Sequence, residues 1–325
     1  MLGRFFRRDL PRTSIMTPGR PQPHPGRTGL AIVAIMKDEA GHITDWLRFH
    51  GAAGVRDFYL YDDGSSDGTP DLARSVAGLN VTVLPWRMSG AFEQPNVTFS
   101  RQILAYAHAI ENFGGAYRWM AFIDIDECIV PTRGTSILEV LEGLGAYTNV
   151  SLPWTMFGPN GHDKTPDIPA QFAYTTRAAR RADPVLNFKC IVDPTDVTQA
   201  RVHRFRTTTM GKDSVNDVGV RAPYKNRHLD GFLSDAALQL NHYYTRSHEE
   251  LAMKLGKGAV SDSPLARRNS KVHEKLAVIE ATAIPDTAAI DFLRRVGITR
   301  PDALRSATFA HDATPAPESD QSRDP

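Results

Sequence analysis

A chain of 325 residues, 41% of them hydrophobic, can bury a sizeable core, as one large α/β domain with appendages or as roughly two domains. With 38 basic against 37 acidic residues and a formal net charge of +1, no global field draws it to nucleic acid or to an anionic membrane, so any basic function must be local. Its 2 cysteines, Cys128 and Cys190, exclude a disulfide framework and read as small core residues; no apolar run approaches the ~18 residues of a membrane span, so a soluble, cytoplasmic protein is expected.

In chain order, residues 1–28 hold Arg4, Arg7, Arg8, Arg12, Arg20 and Arg27 at Pro-rich spacing and read as a disordered basic segment. Phe5 and Phe6 among them offer at most a weak peripheral contact with the inner face of a membrane, since a stable anchor needs more apolar area. The run LAIVAIM at 30–36 is the first buried strand, ending in Lys37-Asp38-Glu39. Ile43, Trp46, Leu47 and His50 follow at helical spacing and predict a helix over 39–50. A second strand, DFYLY at 57–61, runs into Asp62-Asp63-Gly64-Ser65-Ser66-Asp67-Gly68, with Thr69 and Pro70 as N-cap and first residue of a helix.

That acidic turn imitates the start of a calcium-binding loop, but the position that must supply its last acidic ligand is Arg74. Neither strand end carries G-x-G-x-x-G, so phosphates at this sheet must be met by a metal ion rather than by a glycine-rich backbone. A third strand at 80–86 and a helix at 98–113, with Ile103, Tyr106, Ala107 and Ile110 on one face, lead into the stretch RWMAFIDIDE. Its apolar run, covered on both faces, predicts a strand of a mainly parallel sheet that delivers Asp124 and Asp126 to its C-terminal end, where such sheets bind ligands. Two apart on extended chain, these carboxylates share a face and can approach one cation. Hard oxygen donors suit Mn²⁺ or Mg²⁺, whose shell is completed by substrate phosphates and water.

Further on, Ser136-x-x-Glu139 opens a helix and 149–157 is another strand. The loop Gly158-Pro159-Asn160-Gly161-His162-Asp163 is turn-rich and follows a strand, where recognition and catalysis commonly lie, which makes His162 and Asp163 the candidates for a general base. Ser247-x-x-Glu250 caps a helix over 248–255 with Leu251 and Leu255 inward; 286–296 and 301–307 read as short amphipathic helices, before a polar, disordered tail.

The segments AIMKDEA, YLYDDGSSDGT, FSRQ and FIDIDE together resemble the nucleotide-binding half of a GT-A glycosyltransferase of the family 2 type. FGPNGH, KCIVDP with VHRF, and NHYYTRSHEELAMKLGKG are more similar to glycosyltransferase family 92 and its bacterial relatives. The resemblance implies an α/β fold of GT-A (Rossmann-like) type, an open, mainly parallel twisted sheet with helices on both faces and a C-terminal, acceptor-side helical extension. Its expected divisions are a basic segment 1–28, a glycosyltransferase domain 29–258 with halves at about 29–130 and 131–258, an extension 259–312 and a tail 313–325. The implied reaction is metal-dependent transfer of a hexosyl-type unit from a nucleotide sugar, UDP-linked, to a glycan or other acceptor hydroxyl with inversion, as in polysaccharide biosynthesis.

By the same resemblance Asp38, Asp62 and Asp63 should meet the nucleotide base and ribose, Arg101 the base or diphosphate, and Asp124 with Asp126 the metal. His242, with His203 in competition, is the expected third ligand; Lys189, Lys254 and Lys257 could meet the diphosphate. The acidic residue that opens a late Glu-Asp motif in family 2 has no clean counterpart after Asp126. Two other readings compete. FIDIDEC imitates the D-x-D of haloacid-dehalogenase-like phosphohydrolases, although Cys128 stands where they carry Thr or Val; a non-catalytic nucleotide-sugar-binding module would keep the same fold.

Overall fold

The structure, a computed structural model, describes residues 12–13, 15–87, 98–179, 186–256 and 265–310. Strands β1 (Thr28–Met36), β2 (Asp57–Asp62), β3 (Asn80–Pro85) and β4 (Tyr117–Phe122) pair in parallel in the order β4-β1-β2-β3. Helices α1 (Ile43–Ala52), α2 (Thr69–Arg74) and α3 (Arg101–Phe113) lie in the crossovers. Strand alternation divides the apolar runs between two cores. Ile32, Ala34, Phe58, Leu60, Trp119 and Ala121 pack with Trp46 and Leu47 of α1, whereas Ala31, Val33, Tyr59, Tyr61, Met120 and Phe122 pack with Tyr106 and Ile110 of α3. Burial on both faces is the physical reason these strands read as continuous apolar runs.

Beyond β4 the chain forms β5 (Glu127–Pro131), α4 (Ile137–Gly143), β6 (Asn149–Met156) and β7 (Phe188–Val192). Then come β8 (Val197–Ala200), β9 (Phe205–Thr207), β10 (Asp213–Val215), β11 (Arg221–Pro223) and β12 (Leu238–His242). The 10-stranded sheet runs β11-β10-β6-β7-β4-β1-β2-β3, with β12 paired to β5 and β6. Its second half is mixed: β7 is antiparallel to both β4 and β6, β12 parallel to β6 and antiparallel to β5. Strands β8 and β9 form a separate antiparallel pair.

The last helices are α5 (His248–Gly256), α6 (Leu265–Ala281), α7 (Ala288–Arg295) and α8 (Pro301–Arg305). The two amphipathic helices expected here pack on the sheet domain rather than stand apart: Phe292, Leu293 and Leu304 are buried in the main core, with Phe292 edge-on to Phe49 of α1. Among the described residues no helix is long and apolar enough to cross a membrane.

Several local expectations are corrected. Residues 15–28, inside the segment expected to be disordered, are held to the domain: Met16 bridges Ala200, and Arg27 grips the Asp193 carboxylate with both guanidinium ends at 2.9 and 2.7 Å. Residues 1–11, and with them Phe5 and Phe6, lie outside the described residues, as do Lys257 and 311–325. The first helix starts at Ile43, and the N-cap of α2 is Gly68 at φ 84, not Thr69. Thr69 Oγ1 instead accepts the Glu39 N–H at 2.8 Å, locking the turn to the end of β1. Residues 98–99 form a short strand, and α3 begins at Arg101.

Candidate active site

Strand β4 ends at Phe122, so Asp124 and Asp126 sit not on extended chain but in the tight turn to β5, which the Glu127 N–H closes onto the Asp124 carbonyl at 3.0 Å. Glu127 is fully buried below the turn. Its carboxylate accepts the Asp124 N–H at 2.8 Å and the Trp154 indole N–H at 2.6 Å, so it fixes the turn's shape. Burial, with Asp124 and Asp126 beside it, raises its pKa well above the usual carboxylate value against the pull of Lys189.

The turn points its carboxylates at different cations. Lys189, buried on β7, places its ammonium 2.8 Å from Asp124 and 3.6 Å from Glu127. Burial disfavours the charge on Lys189, but Asp124 and then Glu127 outweigh it and hold the ammonium pKa above its ordinary value. The Gln102 amide of α3 donates to the other Asp124 oxygen at 2.6 Å. Asp126 meets Lys254 of α5 at 2.9 Å and His242 Nε2 at 3.5 Å. Although half-buried, it is held well below the usual carboxylate range by Lys254 and then His242. His242 reaches it through strand register, because on β12 it lies opposite Glu127 of β5. Lys254 also donates to the Tyr244 carbonyl at 3.0 Å, and Lys275 of α6 sits over the Tyr244 and Trp154 rings at 5.1 and 5.5 Å.

The residues expected to meet the nucleotide form a second cluster at the ends of β1 and β2. Asp38, at φ 53, accepts the Ser66 N–H at 2.8 Å, Asp62 accepts the Ser65 N–H at 3.1 Å, and Asp67 accepts the Ala40 N–H at 3.0 Å. These carboxylates therefore shape the turn that presents them. Asp63 is buried and paired with Arg101 at 2.5 Å, joining two of the predicted residues, while its Oδ2 has no hydrogen-bond partner among the described residues. Burial raises its pKa, with Arg101 opposing.

His162 and Asp163 join neither cluster and lie against the start of α5. Their carbonyls accept the His248 and Glu249 N–H groups at 3.1 and 3.0 Å, and the His162 ring bonds the Ala173 carbonyl at 3.1 Å. His203 is turned away from Asp126: its Nδ1 bonds the Phe188 carbonyl at 3.0 Å and its ring packs on Trp154. Burial, then Lys189, lowers its pKa to about 4. Glu127, Gln102, Trp154 and Lys275 are site residues that the sequence reading did not single out. Glu127 was visible as the third acid of FIDIDE and Gln102 in FSRQ; Trp154 and Lys275 carried no local signal.

The donor set fits a hard divalent ion in part. The donors available are His242 Nε2, the nitrogen that faces Asp126, and the Asp124 and Asp126 oxygens, of which Asp126 Oδ2 is shared with Lys254. Among the described residues no group of at least 3 such side chains is already gathered as a closed site. An ion here would complete its shell with phosphate and water, the usual habit of Mg²⁺ and Mn²⁺, and the imidazole favours Mn²⁺ of the two.

Paired carboxylates and lysines at the C-terminal end of a parallel sheet define the class of α/β proteins that bind ligands at their strand ends. The family model of glycosyltransferase family 92 matches residues 33–254, and the chain belongs to that family. Curated relatives include a family 92 protein of Oryza sativa subsp. japonica, 25% identical over 46% of this chain and 25% of that protein. Another, from Arabidopsis thaliana, is 23% identical over 62% of this chain and 36% of its own length, so the chain spans well under half of either. Among solved structures, S. aureus TarS aligns at TM-score 0.31 and 13% identity over 77% of this chain and 43% of that one. A mutant of LgtC aligns at 0.26 and 13%, over 50% and 57%. Scores this low carry no argument of their own.

Proposed function

We propose that the chain transfers a sugar from a nucleotide sugar, UDP-linked, to an acceptor hydroxyl with inversion, using Mn²⁺ or Mg²⁺ at the Asp124–Asp126 turn. The observation that carries this reading is the turn itself: two acids at the sheet's C-terminal end, backed by His242 and faced by Lys189 and Lys254 from two separate elements. Acids alone would repel a diphosphate, and lysines alone would not hold an ion to it. Together they suit a metal–diphosphate leaving group.

Asp124, Asp126 and His242 would hold the ion, which when bound supplies neutralising charge for the departing diphosphate. Lys254 stands on Asp126 at the turn, placed to meet the negative charge that grows as the glycosidic C–O bond breaks. Asp63, with one buried oxygen lacking a donor and the other fixed by Arg101, suits an imide N–H or a ribose hydroxyl, with Asp38 and Asp62 beside it. Deprotonation of the acceptor falls to His162 or Asp163 if the acceptor lies along α5. Membership of family 92 speaks against the phosphohydrolase alternative, and the Asp62–Gly68 turn has no use in it. Release of nucleoside diphosphate with Mn²⁺ across a panel of donors tests the proposal. Activity indifferent to a chelator would remove the metal, and donor binding without turnover would leave a binding module.

A further inference from the structure

A second concave site lies on the β8–β9 hairpin, lined by Gln199, Arg201, Arg204, Arg206, Lys212 and Tyr224, with Ile15 and Phe205 as its apolar floor; its volume is about 220 Å³. In a chain whose net charge is only +1, four cationic side chains meet here, and among the described residues none of the lining side chains is acidic. The crowding is real. Burial and the neighbouring Arg204 and Arg206 guanidinium groups depress the Arg201 pKa, although Tyr224 opposes them. The hairpin holds the cations in place: Arg206 donates to Gln199 at 3.2 Å, Arg204 stacks on Tyr224 at 4.4 Å, and Phe205 is packed beneath against Phe122 at 4.8 Å. Concentrating like charges on a short, fixed hairpin costs stability unless an anion is to be held there.

We infer that this pocket binds a phosphoryl group. The Arg204 and Arg206 guanidinium groups and the Lys212 ammonium offer more donors than a single carboxylate accepts, whereas a phosphate or diphosphate offers several oxygens to planar, bidentate donors. The pocket is distinct from the Asp124–Asp126 turn but adjoins it: His203, between Arg201 and Arg204, turns inward to pack on Trp154, which in turn bonds Glu127. His203, Trp154 and Glu127 thus form a continuous chain of contacts between this loop and the turn. Resting on the glycosyltransferase reading, the phosphoryl group belongs to the acceptor, which is a phosphorylated sugar or a lipid-linked diphosphate headgroup.

The test is calorimetric titration of the full chain with inorganic pyrophosphate, without metal, in wild type, in Arg204→Gln/Arg206→Gln and in Lys212→Glu. Lys212 is exposed, so its reversal leaves the fold intact. Binding should weaken at least about tenfold in both pocket variants, as one to two lost charge-assisted hydrogen bonds imply, and should persist in Lys254→Ala. Unchanged binding in the pocket variants, loss confined to Lys254→Ala, or equal affinity for glucuronate would overturn the inference. A prenyl diphosphate in detergent micelles separates the two sources: much tighter binding than pyrophosphate marks a lipid headgroup, and equal binding a soluble phosphate ester. Absence of turnover on any nucleotide sugar would remove the glycosyltransferase reading while leaving the pyrophosphate result standing.

Discussion

Lys254 lies 128 positions from Asp126 in the chain and 2.9 Å from it in the structure, its ammonium set on the carboxylate oxygen that also faces His242. The contact brings α5 onto the β4–β5 turn and gives the turn a cation before any ligand arrives. A metal ion at Asp126 would take the other carboxylate oxygen, share this one with Lys254, or displace the ammonium.

Replacing Asp126 by Asn is expected to abolish transfer and to weaken nucleotide binding only when Mn²⁺ is present. The fold should hold, because Lys254 is 39% exposed and can turn to water when its partner is neutral. Nucleotide titrations with and without Mn²⁺, beside a thermal melt, check both parts; wild-type affinity with Mn²⁺ would refute the assignment.

Lys254→Met should lower turnover roughly 100-fold, the usual scale for removing a preorganised group that faces developing charge. The same change relieves competition at Asp126, so Mn²⁺ measured by its own spectroscopic signal in the absence of donor should bind more tightly. Opposite signs in the two measurements distinguish this role from a structural one.

A pH-dependent tether joins α1 to α5. Glu250 bonds His42 and lies 3.7 Å from Arg246, which itself pairs with Glu39 at 3.0 Å. Burial works against the Glu250 charge, but the His42 hydrogen bond and charge, then Arg246, lower its pKa to about 2. A carboxylate depressed in the folded state stabilises fully above its unfolded pKa of ~4.5 and loses that contribution as pH falls through about 2. Urea melts should show Glu250→Gln less stable by on the order of 1–3 kcal/mol at pH 6, with the gap closing below pH 4; a gap constant over this range would exclude the tether.

His162 and Asp163 hold the start of α5 through their backbone, so truncating the side chains should leave folding and donor affinity near wild type. If one of them is the base, its loss lowers turnover by ~10²–10⁴ with little change in donor binding. Near-normal turnover in both His162→Ala and Asp163→Asn would place the base elsewhere.

The parallel half of the sheet was legible in the sequence because strands covered on both faces must be continuously apolar and stop where solvent begins; LAIVAIM, DFYLY and RWMAF each end at an acid-bearing turn. The acids of the two turns and the capping box at Ser247 and Glu250 were legible too, since turns and caps are local chemistry. Partnership was not. Lys189 reads as one lysine in an apolar strand until β7 pairs with β4 and sets it on Asp124; His242 is one histidine among 11 until β12 pairs with β5. The mixed half of the sheet and the approach of Lys275 depend on pairings between distant segments, whose closing entropy and register leave no periodic mark on the chain. Composition and local pattern thus determined where the sheet would present carboxylates, and only long-range packing decided which cations meet them.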